Sequence, residues 1–474
     1  MITLFVVIPA LAGIFSLWIK TTVSREIMIM TAVFHLLLTV FTFIYPFEPF
    51  YNGWMAINPS SQLFLLTLSI LFLLVGFYNR DYMALNSRVS RYEAQQNCCM
   101  LLMFSAMSLV ILSRHFGVIW VAMEATTLFS APLIYFHRSH TSLEATWKYL
   151  MICSVGIALA LLGNMLLSYA YRASGSPMLI DDLLPIAASG DRNWIKAAFI
   201  FFIVGYGTKM GLAPMHSWLP DAYSEAPPPV SAIFPALMNC AFLSVLRTGE
   251  VCQAAGLGEF RDEIMLFFGI ASLLFAAIFI IGQKDYPRML AYSSVEHVGL
   301  MSLGAACGPI GMIGSILHMI NHTLVKGMLF MISGNILAVY RSRNVNKVGG
   351  MLQVNPPAGI LWLAGFMAIT GLPPFGMFIS KLLIIRGMLN SGSYVMAAVV
   401  LALIAVIFVG MLLIFIPMAM GTPPSGTSLK PAKPRLRWLL FPALISGLIS
   451  LLLGIYIPDS VYNLVLEVSE IFGR

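Results

Sequence analysis

Six ionisable side chains stand in stretches otherwise made of Leu, Ile, Val, Phe, Met and Ala: Glu124, Lys148, Lys209, Glu296, Lys326 and Lys381. Lysines and carboxylates in apolar surroundings suit proton handling. Burial lowers a lysine's proton affinity toward neutrality, a neighbouring carboxylate raises it, and a change of partner loads or releases a proton. Arginine would keep its proton throughout, and none is expected in mid-span whereas four lysines are. A charge at the centre of a bilayer costs about 2.5 to 3.5 kcal/mol on insertion scales, so six unpaired charges would cost roughly 15 to 20 kcal/mol. Partners, water or a function must offset that. His318, Asn321, His322 and Lys326, in HMINHTLVKGMLF, fall along one helical face. Imidazole titrates near neutral pH, so the ladder reads as a proton wire. Metal binding by His318 and His322 would need a third ligand that the pattern does not offer. The static alternative is a set of ion pairs, such as Glu144 with Lys148 at i, i+4. It is weaker for the set, because apolar replacements usually stabilise as well as buried ions do.

The elements holding these groups follow from composition. Of 474 residues 59% are hydrophobic and 10% charged, against about 25% charged in soluble domains. The fold class expected is all-α integral membrane, a single polytopic domain over 1–474 with about fourteen spans, each near 20 apolar residues. The first apolar run begins at Ile2 without a basic leader, so the first span is expected to be retained. Six cysteines without CxxC spacing, and no nucleotide-binding or hydrolase motif, predict no cofactor and no metal in this chain. Alternate loops hold fifteen Lys and Arg on one side, among them Lys284, Arg288 and the run from Lys430 to Arg437, and eight on the other, among them Arg114 and Arg247. The positive-inside rule then puts both termini outside. The net charge of +7 calls for a basic rim on the lipid bilayer and no nucleic acid.

Proline interrupts two spans, the seventh and the twelfth: Pro214 lies five residues after Lys209, and Pro373 and Pro374 precede Lys381 by about two turns. Broken helices at corresponding positions of two halves point to a transport site. The offset suggests two five-helix repeats, spans four to eight (97–247) and nine to thirteen (264–417), with spans one to three in 1–96 and the last span and tail in 438–474. An odd number of spans per repeat inverts one copy relative to the other. Glu124 answers Glu296, and Lys148 answers the His318 to Lys326 ladder.

WVAMEATTL, KMGLAPMHSWLPDAYSEAPPPVSA, YPRMLAYSSVEHVGLM, HMINHTLVKGMLF and GLPPFGMFISK together resemble the antiporter-like subunits shared by respiratory complex I, energy-converting hydrogenases and multi-subunit Na+/H+ antiporters. The resemblance implies fourteen helices with inverted repeats and proton translocation along a hydrated axis in mid-membrane. It makes Glu124 and Lys209 the interacting pair of one half-channel and Lys381 the lysine of the other. His216 and His297, inside these motifs, join the proton-transfer candidates. On the eighth span the family commonly carries Lys or His; here the stretch offers Asn239, which orients water but carries no charge, so His318, His322 or Lys326 is the alternative bridge. Glu296 with His297 resembles the hydrogenase-4/formate hydrogenlyase branch.

The function implied is that of a non-redox, proton-translocating subunit of a group-four [NiFe]-hydrogenase or complex I-related complex in a prokaryotic inner membrane. Ni-Fe and Fe-S centres are expected in partner chains: a peripheral cytoplasmic hydrogenase module and other membrane subunits. The alternative is a Na+/H+ antiporter subunit, with sodium as a second ion; a structural anchor with relic charges is the third reading.

Overall fold

The computed structural model describes residues 1–45, 47–85, 90–424 and 438–473. Arg88 and the basic run from Lys430 to Arg437, on which part of the orientation argument rests, lie outside the described residues, as does Arg474. The described chain is helical, with extended residues meeting only in isolated bridges. In order come α1 (Leu4–Phe15), α2 (Thr21–Phe41), α3 (Pro59–Leu85), α4 (Ser90–Leu112), α5 (Phe116–Ile134), α6 (His140–Ala170), α7 (Ile180–Ile186), α8 (Arg192–Met210) and α9 (Leu219–Glu225). Then follow α10 (Pro228–Ala254), α11 (Gly258–Ile280), α12 (Tyr286–Ala305), α13 (Gly308–Tyr340), α14 (Met351–Val354), α15 (Pro356–Thr370), α16 (Gly376–Asn390) and α17 (Tyr394–Met420). Two last helices, Phe441–Ile455 and Asp459–Phe472, meet at a bend of 78°.

Among the described residues ten helices are long and apolar enough to cross a membrane. Their burial runs opposite to that of a soluble protein. The most apolar of them, α17, is mostly exposed, whereas α10 is enclosed along its whole apolar window. Hydrocarbon solvates the outside, so polar side chains collect inside. Close packing of α6 on α8 depends on small residues: a Cβ at Gly205 would stand 2.6 Å from the Gly156 carbonyl oxygen. Small residues at such crossings let backbones approach where no hydrophobic effect drives helix association.

Two helices are broken in the same way. α8 ends at Met210, and Gly211, with φ +89°, turns the chain so that the Leu212 amide donates to Gly207 O at 2.9 Å. α15 ends at Thr370, and Gly371, with φ +79°, turns it so that the Leu372 amide donates to Met367 O at 2.9 Å. Both breaks read Gly-Leu-X-Pro, and the bonds preceding Pro214 and Pro374 are both cis. Glycine is needed at each turn because side chains are strained at positive φ. The Phe441–Ile455 helix lies along α13, with Ser446 Oγ donating to Leu324 O at 2.7 Å and Ser450 Oγ to Asn321 Oδ1 at 2.9 Å. Its Gly454 meets the second break so closely that a Cβ there would collide with Pro374 O.

Arg247 departs from the loop position expected of it. α10 continues to Ala254, and Arg247 within it is fully buried, donating Nη1 to Val110 O at 2.8 Å and Nη2 to Ile111 O at 2.6 Å. These carbonyls end α4 and have no amide partner in their own helix, and a cation there also opposes the negative end of the helix dipole. Arg114 likewise is buried at the end of α4, paired with Asp181 at 2.5 Å. Arg247→Met is expected to destabilise the protein by about 1.5 to 3 kcal/mol, the range for hydrogen bonds to a charged group. Thermal unfolding in detergent checks this; a midpoint equal to wild type contradicts the capping role.

Candidate functional site

Lys209 stands on the last turn of α8, fully buried. Its Nζ donates to Thr127 Oγ1 on α5 at 2.7 Å and to the Tyr149 hydroxyl on α6 at 2.5 Å, and lies 4.7 Å from the Tyr149 ring centre. Tyr149 in turn contacts Ser130 Oγ at 2.5 Å. Glu124, one helical turn before Thr127, accepts from Ser154 Oγ at 3.0 Å through Oε1, while its buried Oε2 has no partner among the described residues. The expected pair Glu124 and Lys209 therefore make no hydrogen-bonded ion pair; hydroxyls hold the lysine.

The second half is arranged differently. Lys381 on α16 forms an ion pair with Glu296 Oε1 on α12 at 2.8 Å and also donates to Thr370 O, at the end of α15, at 3.2 Å. That carbonyl is one of those the break frees. At the first break Trp218 Nε1 donates to Thr208 O at 2.8 Å, a carbonyl that also accepts from the Gly211 amide at 3.2 Å. The buried Glu296 Oε2 has no partner among the described residues.

Between α12 and α13 the histidines come together. His297 Nδ1 lies 3.0 Å from His318 Nε2, and His318 Nδ1 lies 2.9 Å from Ser380 Oγ, next to Lys381. The Ser380 hydroxyl lies 3.0 Å from Met377 O; when it donates there it accepts from His318 Nδ1–H, and His318 Nε2 then accepts from His297 Nδ1–H. His297 Nε2 is left without a partner among the described residues. His322, a turn along α13 with its ring centre 5.3 Å from that of His297, has no such partner at either nitrogen. Lys326, a further turn on, donates to Ser293 Oγ and Leu290 O. Asn239 on α10 donates Nδ2 to Thr323 Oγ1 on α13 at 2.6 Å, and its Oδ1 has no partner among the described residues.

Two candidates stand apart. Lys148 is not an embedded charge: its side chain is 46% exposed and pairs with Glu144 at 2.6 Å and Asp221 at 3.1 Å. It lies in the third turn of α6, where apolar neighbours in sequence such as Trp147 and Met151 are exposed. Asp221 also binds Arg288 at 2.9 Å, and Glu225 binds Arg343 at 2.9 Å, so α9 ties three elements together at this end. His216 is buried among the rings of Phe275, Phe279 and Tyr292, away from the lysines' hydrogen bonds. The hydroxyl partners Thr127, Tyr149, Ser154, Ser293, Thr323 and Ser380 do not stand out in the sequence. Thr127, three residues from Glu124 on one face of α5, carries a usable signal.

A family model described as NADH:quinone oxidoreductase/Mrp antiporter, TM matches residues 113–407. The hydrogenase-4 component F homolog of Methylacidiphilum infernorum is 33% identical over 361 residues, 75% of this chain and 74% of that protein. A Na(+)/H(+) antiporter subunit of Bacillus subtilis is 25% identical over 403 residues, 85% of this chain and 80% of that protein. A chain of the membrane-bound sulfane sulfur reductase, an archaeal respiratory membrane complex, matches with a TM-score of 0.89 over 100% of this chain and 98% of its own, at 21% identity. That last likeness is one of fold. With more than half its length matched by the family model, the chain belongs to the NADH:quinone oxidoreductase/Mrp antiporter family and is an antiporter-like membrane subunit related to those of hydrogenases and complex I.

Proposed function

We propose that this chain translocates protons as a membrane subunit of a hydrogenase-4, formate hydrogenlyase-like or complex I-related redox complex, with Ni-Fe and Fe-S centres in partner chains. One observation carries the reading: buried titratable and polar groups are strung through the molecule, Lys209 on α8, Asn239 bonded to Thr323, then Lys326, His322, His297, His318, Ser380 and the Lys381–Glu296 pair. Six buried atoms on this line or beside it, Glu124 Oε2, Asn239 Oδ1, Glu296 Oε2, His297 Nε2 and both His322 nitrogens, have no partner among the described residues. Buried groups of this kind are bonded by internal water, and alternating water and titratable groups conduct protons. Lysine on hydroxyls in one half and lysine on a carboxylate in the other are two pairing states of one chemistry. Movement of Lys209 from Thr127 and Tyr149 toward Glu124 would convert one into the other. Lys148 with Asp221 sits where the line meets the aqueous rim.

The same reading gives fourteen crossings, α1, α12, the α15–α16 pair and Phe441–Ile455 adding to the ten long spans. It also gives two inverted repeats, α4 to α10 and α11 to α17, supported by the matched Gly-Leu-X-Pro breaks, and both termini on the outer side. The likeness to an antiporter subunit supports a second reading, a cation/proton antiporter driven by the gradient alone.

Lys209→Ala and Glu124→Ala are expected to abolish proton pumping while the complex still assembles. Acidification of inverted vesicles during turnover measures this, and a gradient at wild-type strength in either variant sinks the site. Purification of the native complex separates the two readings: a nickel-iron hydrogenase chain supports the first, small antiporter subunits and sodium-dependent exchange the second. Glu296→Gln leaves the Lys381 ammonium buried without its counter-charge and is expected to cost about 3 to 5 kcal/mol, most of it recovered by adding Lys381→Met. Glu124→Gln breaks no ion pair and is expected to cost less. Thermal unfolding of the purified complex gives the order; equal losses for the two glutamate variants contradict it.

A further inference from the structure

The first four helices hold a histidine that the line from Lys209 to Lys381 does not use. His35, on α2, is 1% exposed in a segment whose inward stripe reads Ser24, Thr31, His35, Thr39 and Thr42. Its Nδ1 lies 2.8 Å from Ser69 Oγ on α3, and its Nε2 lies 3.0 Å from Ser108 Oγ on α4. Each serine has one proton to give, and each gives it to its own helix: Ser69 to Leu65 O at 2.6 Å, Ser108 to Phe104 O at 2.9 Å. Both oxygens therefore face the ring as acceptors, and full pairing needs a proton on both nitrogens. That is the imidazolium. The rings of Phe5 and Phe104, with centres 4.9 and 4.3 Å away, add aromatic surroundings that tolerate a cation.

The neutral ring is accommodated without losing a hydrogen bond. One serine turns its hydroxyl from its helix carbonyl, which keeps its backbone amide, to the bare nitrogen. The two protonation states thus differ by one hydroxyl rotation, and neither leaves a group unpaired. A histidine kept only for packing needs no second acceptor. Among the described residues, no hydrogen-bond or ring partner of His35 is charged. The charges of α2, α3 and α4 and of the residue capping α2, namely Lys20, Arg25, Glu26, Arg80, Asp81, Arg91 and Glu93, lie at the start of α2, the end of α3 and the start of α4, where Arg25 pairs with Glu93 and Arg80 with Asp81. α1 carries none.

We propose that His35, clamped between Ser69 and Ser108, is a proton-binding site in the N-terminal helices. Thr39 Oγ1 lies 3.1 Å from Ser69 Oγ and donates to His35 O at 2.8 Å, so a third hydroxyl adjoins the clamp. The incoming proton binds the bare ring nitrogen as the serine hydroxyl swings back to its carbonyl. The site also touches the line's midpoint: the carbonyl of Met107, beside Ser108, accepts from Cys240 Sγ at 3.8 Å, and Cys240 adjoins Asn239.

Solid-state NMR of the complete complex in proteoliposomes, with ¹⁵N in histidine and His35 assigned by difference against His35→Gln, tests this. Both ring nitrogens are expected to be protonated near about pH 6 and only one near about pH 9. In Ser108→Ala the doubly protonated form at the lower pH is expected to fall at least about fivefold, a change that also assigns the signal should the glutamine variant not fold. A single neutral tautomer throughout that range, or a Ser108→Ala spectrum like wild type, overturns the proposal. The reading goes beyond the Lys209 and Lys381 sites and does not depend on them, since it needs no turnover.

Discussion

A backbone carbonyl released by a broken helix in hydrocarbon must be given a donor, and the way each break meets that demand shapes the rest of the site. An unsatisfied group at such depth costs several kcal/mol. At the first break the Thr208 carbonyl accepts from both the Gly211 amide and the Trp218 indole, and Lys209 donates to the hydroxyls of Thr127 and Tyr149. At the second, Lys381 itself takes the Thr370 carbonyl and the Glu296 carboxylate together. The same Gly-Leu-X-Pro break thus sustains a lysine free of an ion pair in one half and a lysine anchored by one in the other. The length of the HSWLPDAYSE segment follows from this: it must carry an indole back to the break and acidic side chains out to the rim.

Around these breaks the helices sort by what they touch. α10 meets protein on every side and supplies Asn239 to the middle of the line and Arg247 to the end of α4. α12 is less apolar than the ten long spans, because its turns carry Ser293 and His297 toward α13 and Glu296 toward Lys381 on α16. Hydroxyls rather than charges are the usual partners of the buried lysines and histidines along this line. A hydroxyl can serve as donor or acceptor without a net charge of its own, so it stabilises a lysine or histidine in either protonation state.

Much of this is legible in the sequence where chemistry and hydropathy conflict. A lysine, glutamate or histidine in an apolar run announces itself, and so does proline in a span; Lys209, Lys381, Glu296 and the His318 to Lys326 face stand out on that ground. Lys148 misleads because a helix that starts at the rim already shows apolar lipid-facing residues around its first charges. Arg247 misleads in the opposite sense: hydropathy falls near it, yet α10 runs on to Ala254 because neighbouring helix ends, not lipid, surround it. Short crossings are harder to bound, α1 having 12 residues and α15 having 15. Most serine, threonine and tyrosine partners are illegible for a plainer reason: they are common in such helices, and only tertiary approach selects Tyr149, Ser154 and Ser380 from the others.

Gly454 touches Pro374 backbone to backbone, with no side chain between them to absorb a displacement. Rigid contacts of this kind transmit motion instead of damping it. Any shift of the second break must push the Phe441–Ile455 helix, and the bend beyond it turns that push sideways into Asp459–Phe472. The far end of this arm is pinned, since the Phe472 carbonyl accepts from Arg261 on the first turn of α11 at 3.1 Å. The two last helices are in effect a crank, coupling the hinge in the later half of the molecule to the helix with which that half begins.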